Sequence, residues 1–199
     1  MPLKYTTNER LMLFGQTGSG KSYFIKQFIK GINKYIIWDI KFEYSEFGSC
    51  VHSLTELKSA VQTKGRTRII YQPKPQSINY MPEFEAVCFF ILNFLRNFTF
   101  IVEELQLVAP QGAISPVFKR LITTGRSLGV GCIGITQRSQ LVDKTTLTQA
   151  EHIIIFYVTT KDIEYLSGFF GEGIKWLLTA PKYSYVTWSK GVIENNPPV

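Results

Sequence analysis

The sequence predicts an α/β fold, with a mostly parallel central sheet carrying helices on both faces. Three observations point there. Short apolar runs alternate with helical patterns along the chain, the signature of βαβ units. Several runs, such as Ile153–Val158 (IIIFYV), are apolar throughout, as expected for strands covered on both sides. And 199 residues, 45% hydrophobic and 19% charged, suffice for a single domain over 1–199 that needs no disulfide or metal to hold it.

Leu11–Phe14 is the first strand, and Ser19–Lys30 follows as a helix with Gly31 suited to its end. Lys34–Asp39 (KYIIWD) is rich in β-branched and aromatic residues and makes a second strand. Ser53-Leu54-Thr55-Glu56 has the spacing of a capping box and opens a helix to about Thr63. Thr67–Tyr71 is a strand, and Gln72–Met81, with two prolines, a loop. Pro82 suits the first turn of a helix reaching about Asn97, in which Phe84, Val87, Cys88, Ile91 and Leu95 form a core-facing stripe. Thr99–Glu103 is a buried strand, and Ser115-Pro116 starts a helix ending near Gly125. Gly131–Thr136 and Ile153–Val158 are further strands, Asp162–Phe170 is helical, and Tyr183–Trp188 closes the sheet.

Composition narrows the function classes. Cys50, Cys88 and Cys132 are odd in number and scattered, and only His52 and His152 could join them, which argues against a disulfide framework and a zinc site. The N-terminus lacks the apolar core of a signal peptide, and the longest apolar runs are too short to span a bilayer, so a soluble intracellular protein is expected. Twenty-two Lys and Arg against 15 Asp and Glu give a net charge of +7, which suits a polyanionic partner as well as a merely basic surface.

The strongest signal is Gly15-Gln16-Thr17-Gly18-Ser19-Gly20-Lys21-Ser22, a complete G-x-x-x-x-G-K-[ST] between a strand and a helix. Glycines let the backbone curl so that several N–H groups meet one phosphate, and the following helix presents its positive end to the same anion. Lys21 is placed for the β- and γ-phosphates, and the Ser22 hydroxyl for Mg²⁺. ATP and Mg²⁺ are therefore the expected ligands. Hydrolysis also needs a metal-orienting acid and a water-polarising acid. Glu103 and Glu104, at the end of FTFIV, supply the two in that order, unless they are simply a solvated strand end. A small-molecule kinase needs no second acid, because its acceptor is the nucleophile, so Glu104 tilts the assignment towards hydrolysis.

Four blocks in order resemble the HerA–FtsK superfamily of additional-strand P-loop ATPases. They are Gly15–Ser22, Trp38-Asp39-Ile40-Lys41-Phe42-Glu43-Tyr44, the Phe98–Leu105 acid strand, and GRSLGV at Gly125–Val130 running into Ile135-Thr136-Gln137-Arg138. The resemblance implies a RecA-like sheet in which the strand ending at Thr136 lies between the P-loop strand and the acid strand. It places Gln137 as a polar sensor beside the γ-phosphate and Arg126 as an arginine finger reaching a neighbouring subunit, with Arg120 and Arg138 as rivals, and so implies a ring, expected to be a hexamer. Two positions depart from the family pattern: Glu103 stands where Asp is usual, and Phe42 where Gly is common.

With about ten residues before the first strand and about forty after the Ile153–Val158 run, there is no room for a barrel, membrane segments or a winged helix. A bare motor of this size resembles the genome-packaging ATPases of internal-membrane icosahedral double-stranded DNA viruses, including archaeal ones. That implies an ATP-driven motor moving double-stranded DNA into a preformed capsid, partnered by capsid or internal-membrane proteins, in the host cytoplasm or on the virion. A cellular or plasmid translocase, a P-loop kinase and a non-hydrolysing nucleotide-binding subunit share parts of the pattern. Candidate DNA contacts are Lys64–Arg68, Lys74, Tyr80, Arg138 and Lys144.

Overall fold

The computed structural model describes residues 4–63, 67–74 and 79–199. Its strands are β1 (Arg10–Phe14), β2 (Tyr35–Trp38), β3 (Ser49–Val51), β4 (Arg68–Tyr71), β5 (Phe98–Val102), β6 (Val130–Thr136), β7 (His152–Ile155), β8 (Tyr185–Ser189) and β9 (Val192–Asn196). They form one nine-stranded sheet in the order β3-β4-β2-β5-β6-β1-β7-β8-β9. All pairs are parallel except β7–β8 and β8–β9. β6 lies between β1 and β5, as the resemblance to the HerA–FtsK superfamily implies. Phe14 pairs with Thr136, and Val102 with Gly134, so the carboxyl ends of β1, β5 and β6 meet at one edge. Ligands of open parallel sheets bind at that edge.

The helices are α1 (Lys21–Phe28), α2 (Leu54–Gln62), α3 (Met81–Phe94), α4 (Pro116–Thr124), α5 (Lys144–Thr148) and α6 (Thr160–Phe170). Strand alternation sorts the core in two. Met12, Phe14, Ile36, Trp38, Phe100 and Val102 face α2, α3, α4 and α6. Leu11, Leu13, Tyr35, Ile37, Ile101 and Ile133 face α1, through Phe24, Ile25 and Phe28. Burial on both faces is why these strands read as unbroken apolar runs. The stripe on α3 is buried as expected, from Phe84 through Ile91 and on to Leu95, and Cys88 and Cys132 are buried free thiols. The capping box forms: Ser53 Oγ accepts from Glu56 N–H at 3.2 Å, and the Glu56 carboxylate accepts from His52 N–H at 2.8 Å.

Several boundaries differ from the sequence expectation. α1 starts at Lys21 rather than Ser19, because Gly18 and Gly20 hold positive φ and belong to the turn. β3 and β9 are additional strands with weak apolar signal: β3 is three residues long, and β9 (VIENN) lies at the sheet edge with most of its residues exposed. The seventh strand ends at Ile155 rather than Val158, since the Tyr157 carbonyl turns to the glycine-rich loop.

β6 is hemmed in on the segment before β1. A Cβ on Gly131 would lie 2.4 Å from the Thr7 carbonyl oxygen and 2.8 Å from that of Glu9. Backbone cannot move aside as a side-chain tip can. Gly131→Ala is therefore expected to destabilise the fold by about 1–3 kcal/mol, which lowers Tm by about 2–12 °C for a domain of this size. An unchanged melting curve would show that the Thr7–Glu9 segment is not packed as described.

Candidate active site

Gly15–Ser22 joins the carboxyl end of β1 to α1. Gly18 and Gly20 have φ of 77° and 99°, which glycine adopts without steric cost. Gly15 is required by space instead: a Cβ there would sit 2.6 Å from Ser19 Oγ and 2.9 Å from Phe156 Cβ. Both neighbouring strands anchor the loop. Gly15 N–H donates to the Thr136 carbonyl at 3.3 Å, and Gln16 N–H to the Tyr157 carbonyl at 2.9 Å. Lys21 is buried at the start of α1. Burial pulls its pKa down, and the charges of Glu103 and Glu104 return only part of the loss. A bound phosphate chain would restore the ammonium its full charge.

Glu103 and Glu104 follow β5. Strand alternation alone would send them to opposite sides. Glu104 instead adopts φ 49°, ψ 52°, and this left-handed step turns both carboxylates towards Lys41. The conformation costs a non-glycine residue about 1–2 kcal/mol, and such strain gathers at functional sites. Lys41 Nζ lies 3.6 Å from Glu103 Oε1 and forms a direct ion pair with Glu104 Oε1. The Tyr44 hydroxyl donates to Glu103 Oε2 at 3.3 Å.

Gln137, just past β6, links the acids to the loop. Its Nε2 donates to Glu104 Oε1 at 2.9 Å, and its Oε1 accepts from the Thr17 hydroxyl at 3.0 Å. Gln106 Nε2 donates to the other Glu104 oxygen, and Gln106 Oε1 accepts from the Thr136 hydroxyl at 2.6 Å. The surroundings push the two acids apart. Burial raises the Glu103 pKa, and Lys21 and Lys41 offset this only partly. Burial also opposes ionisation of Glu104, but hydrogen bonds from Lys41, Gln106 and Gln137 outweigh it and hold its pKa low. Adjacent carboxyls tuned in opposite directions are the usual mark of divided roles.

A cavity of about 330 Å³ opens between these groups, lined among others by Thr17, Lys21, Ser22, Lys41, Gln137 and Tyr183. Mg²⁺ is normally held through one or two protein oxygens together with phosphates and waters. Ser22, which lines the cavity, carries one such oxygen, whereas the Glu103 carboxylate is buried and does not line it; among the described residues no group of three or more His, Cys, Asp or Glu is placed to hold a metal.

Sequence reasoning missed Lys41 and Gln106. In the Trp38–Tyr44 block, Asp39 is fully buried and serves the loop. Its carboxylate accepts from the N–H groups of Glu43 and Tyr44, both at 3.1 Å, and from Gln72 Nε2 at 3.0 Å. That folding presents Lys41 and Tyr44 to the acids. Phe42 has φ 60°, the conformation glycine adopts freely, so the loop keeps the shape expected of a Gly at that position. Glu43 does line the phosphate cavity.

The arginines separate. Arg138 is exposed beside Gln137 and lines an adjoining cleft. Arg126 is near the opposite end of β6, 59% exposed, with Nη1 3.2 Å from Glu151 Oε1. Arg120 is exposed on α4. Of the candidate DNA contacts, Lys64, Gly65 and Arg66 lie outside the described residues, Arg68 is partly buried, and Lys74 and Lys144 do not line the phosphate cavity.

The strand–loop–helix phosphate cradle, the acid pair and the sensor strand inserted between β1 and β5 define a P-loop NTPase of the additional-strand type. Residues 5–105 match the family described as the central domain of helicase HerA, and the chain belongs to that family. Protein P9 of Pseudoalteromonas phage PM2 is 32% identical over 151 residues, which is 71% of this chain and 65% of P9, just under two thirds of that relative. The genome packaging NTPase B204 from Sulfolobus turreted icosahedral virus 2, solved with ATPγS, superposes with a TM-score of 0.80, 21% identity and coverage of 98% of this chain and 100% of that one. VirB4 of Thermoanaerobacter pseudethanolicus gives a TM-score of 0.63 at 10% identity, covering 96% and 89% of the two chains. At those identities the two structures establish the shared fold. Among the described residues, no helix is long and apolar enough to cross a membrane.

Proposed function

We propose that the chain is an ATP-hydrolysing motor that moves viral double-stranded DNA into a preformed capsid. The observation that carries the hydrolytic part is Gln137, which bridges Glu104 to Thr17 at the mouth of the P-loop. It ties the water-activating acid to the phosphate cradle at hydrogen-bond distances, an arrangement a phosphoryl transfer to a small-molecule acceptor does not need. The packaging part is supported by the fold shared with B204, described as a genome packaging NTPase, over 98% of this chain. The relationship to a phage protein supports the same setting.

In this mechanism Lys21 and the loop N–H groups bind the β- and γ-phosphates. Ser22 and, through water, Glu103 would hold Mg²⁺, which would supply neutralisation of the phosphate charge when bound. Glu104 orients and polarises the attacking water, and Gln137 fixes the Glu104 carboxylate. Arg126 serves the neighbouring subunit's site in a ring, expected to be a hexamer. Duplex DNA is gripped through phosphates by basic groups such as Lys74, Arg138 and Lys144, so binding weakens steeply with salt. Capsid or internal-membrane proteins of the virion dock the ring, in the host cytoplasm or on the particle.

The test is the steady-state ATPase rate with Mg²⁺, with and without duplex DNA, beside a native mass of the assembly. DNA-stimulated turnover by a closed ring is expected. No turnover even with DNA overturns the motor, and acceptor-dependent turnover by a monomer would point to a kinase.

A pH measurement examines Lys41. A nearby cation favours the ionised carboxylate, so Lys41→Met removes that help and both acids become harder to ionise. At a given mildly acidic pH a smaller fraction is then competent. The acid limb of the pH–rate profile is expected to move to higher pH in Lys41→Met, and an unmoved limb would remove Lys41 from the acid pair's electrostatics.

A further inference from the structure

We infer that Glu151 is the positioning residue of the arginine finger: a carboxylate pinned between strands, it holds the exposed Arg126 guanidinium ready for the neighbouring subunit's nucleotide. The inference rests on the role proposed above for Arg126 and names what orients it.

Glu151 stands immediately before β7 and is fixed from several sides. Its N–H donates to the Arg10 carbonyl at 3.0 Å, and its own carbonyl accepts from Lys190 N–H at 3.2 Å. Its Oε2 accepts from the Arg10 N–H at 2.7 Å. That leaves Oε1 for Arg126, whose Nη1 donates to it at 3.2 Å. The two side chains differ in freedom, with Glu151 17% exposed and Arg126 59%. A fixed acceptor therefore restrains a long side chain that would otherwise sample many rotamers.

Arg10 supplies a second, independent tie to the same place. It is buried at the start of β1, and its Nε donates to the Ile122 carbonyl at 2.7 Å. Ile122 belongs to α4, which runs directly into the Gly125–Leu128 turn that carries Arg126. One residue of β1 thus anchors both the helix end beneath the finger and the carboxylate that grips its tip. The charges suit delivery. Glu151 Oε1 also lies 3.8 Å from Arg10 Nη1, so one carboxylate is shared by two guanidinium groups and does not neutralise Arg126. A guanidinium has five N–H donors, and Glu151 occupies only Nη1, which leaves Nε and Nη2 for phosphate oxygens. An exposed pair contributes little to stability, so orientation is its main effect. The rival arginines, Arg120 and Arg138, pair with no carboxylate among the described residues.

The experiment measures kcat, KM and ATP affinity in full-length variants, alone and mixed. In Glu151→Gln the amide oxygen can keep the Arg10 N–H bond, which turns the amide nitrogen towards Arg126, donor against donor. Glu151→Gln is expected to lower kcat about 10–100-fold, the scale of a misplaced catalytic group, with ATP affinity within about twofold. Turnover returns when Glu151→Gln subunits are mixed with Lys21→Ala subunits, which keep both Glu151 and Arg126. It does not return with subunits carrying Lys21→Ala and Glu151→Gln together. A folding defect in Glu151→Gln would not be cured by a neighbour. Glu151→Asp, which keeps the charge and shortens its reach, shows the same mixing pattern with a smaller loss. Added to Arg126→Ala, Glu151→Gln lowers kcat no further, because it acts only through that arginine. The inference is overturned by a normal kcat in Glu151→Gln beside an impaired Arg126→Ala, by no recovery on mixing, by equal recovery with the doubly altered chain, or by a further loss on top of Arg126→Ala. Normal turnover in Arg126→Ala is a different result: it removes the finger itself, and this inference with it.

Discussion

Arg126→Ala is expected to lower ATP turnover by about 10³–10⁵-fold, the range by which arginine fingers accelerate phosphoryl transfer. The geometry dictates how this must happen. Gln137 marks the nucleotide end of β6, and Arg126 precedes the other end of that strand. Seven residues at roughly 3.3 Å each put about 20 Å between the two ends. A guanidinium cannot span that distance to its own pocket, so any catalytic service is to another subunit. The structural cost of the substitution is small. The Arg126–Glu151 pair is largely exposed on the arginine side, and exposed pairs contribute roughly 0–1 kcal/mol. Lost activity in a normally folded variant would therefore report on catalysis. Mixing separates the cases. Arg126→Ala subunits keep an intact P-loop, and Lys21→Ala subunits keep an intact arginine. Mixed assemblies are expected to regain turnover if the two meet across a subunit interface. Without recovery, Arg138, which stands beside Gln137 in its own subunit, becomes the better candidate.

The parts of this site that could be read from the sequence are those whose chemistry is local. Gly15–Ser22 is recognisable because the backbone path itself demands its residue types: positive φ at Gly18 and Gly20, and no room for a Cβ at Gly15. The order of the central strands is a long-range property that no local residue type dictates, and it was expected only from the family resemblance that the four blocks carry. Glu103 and Glu104 were legible as acids at a strand end, but not their common direction, which depends on a single left-handed residue. Lys41 was hidden because its partners lie on β5's far end, three strands' worth of chain away, and a lysine among aromatics reads as surface. Asp39 shows the converse: an acid in a motif block that is spent on loop hydrogen bonds. Tyr183 and Ser184 read simply as the start of a strand. Only folding brings them to the P-loop, where both line a cleft beside it.

Glu104→Gln is expected to keep nucleotide binding and to lower hydrolysis by about 10²–10⁴-fold, the usual worth of a positioned acid–base group. The amide is close to isosteric, so the left-handed step after β5 has no steric reason to change. The partners respond unequally. Lys41 loses one of its two carboxylates and keeps Glu103. Gln137 retains an acceptor if the new amide oxygen faces it, and retains Thr17 in any case. Binding should persist, because Lys21 and the loop amides are untouched. The pKa directions sharpen the expectation. Glu104, held below the ordinary carboxylate range by Lys41, Gln106 and Gln137 after burial is overcome, is ionised throughout the neutral range. Its ion-pair stabilisation is present above the ordinary carboxylate pKa and is lost as pH falls through the lowered value. A carboxylate so well stabilised is a weak base, so its effect on water is orientation and polarisation unless the incoming phosphates draw Lys41 away. Single-turnover measurements distinguish the outcomes. ATP bound at normal affinity but left uncleaved supports Glu104 as the activating acid. Normal turnover in Glu104→Gln would transfer the role to Glu103, whose burial raises its pKa and makes it the stronger base of the pair.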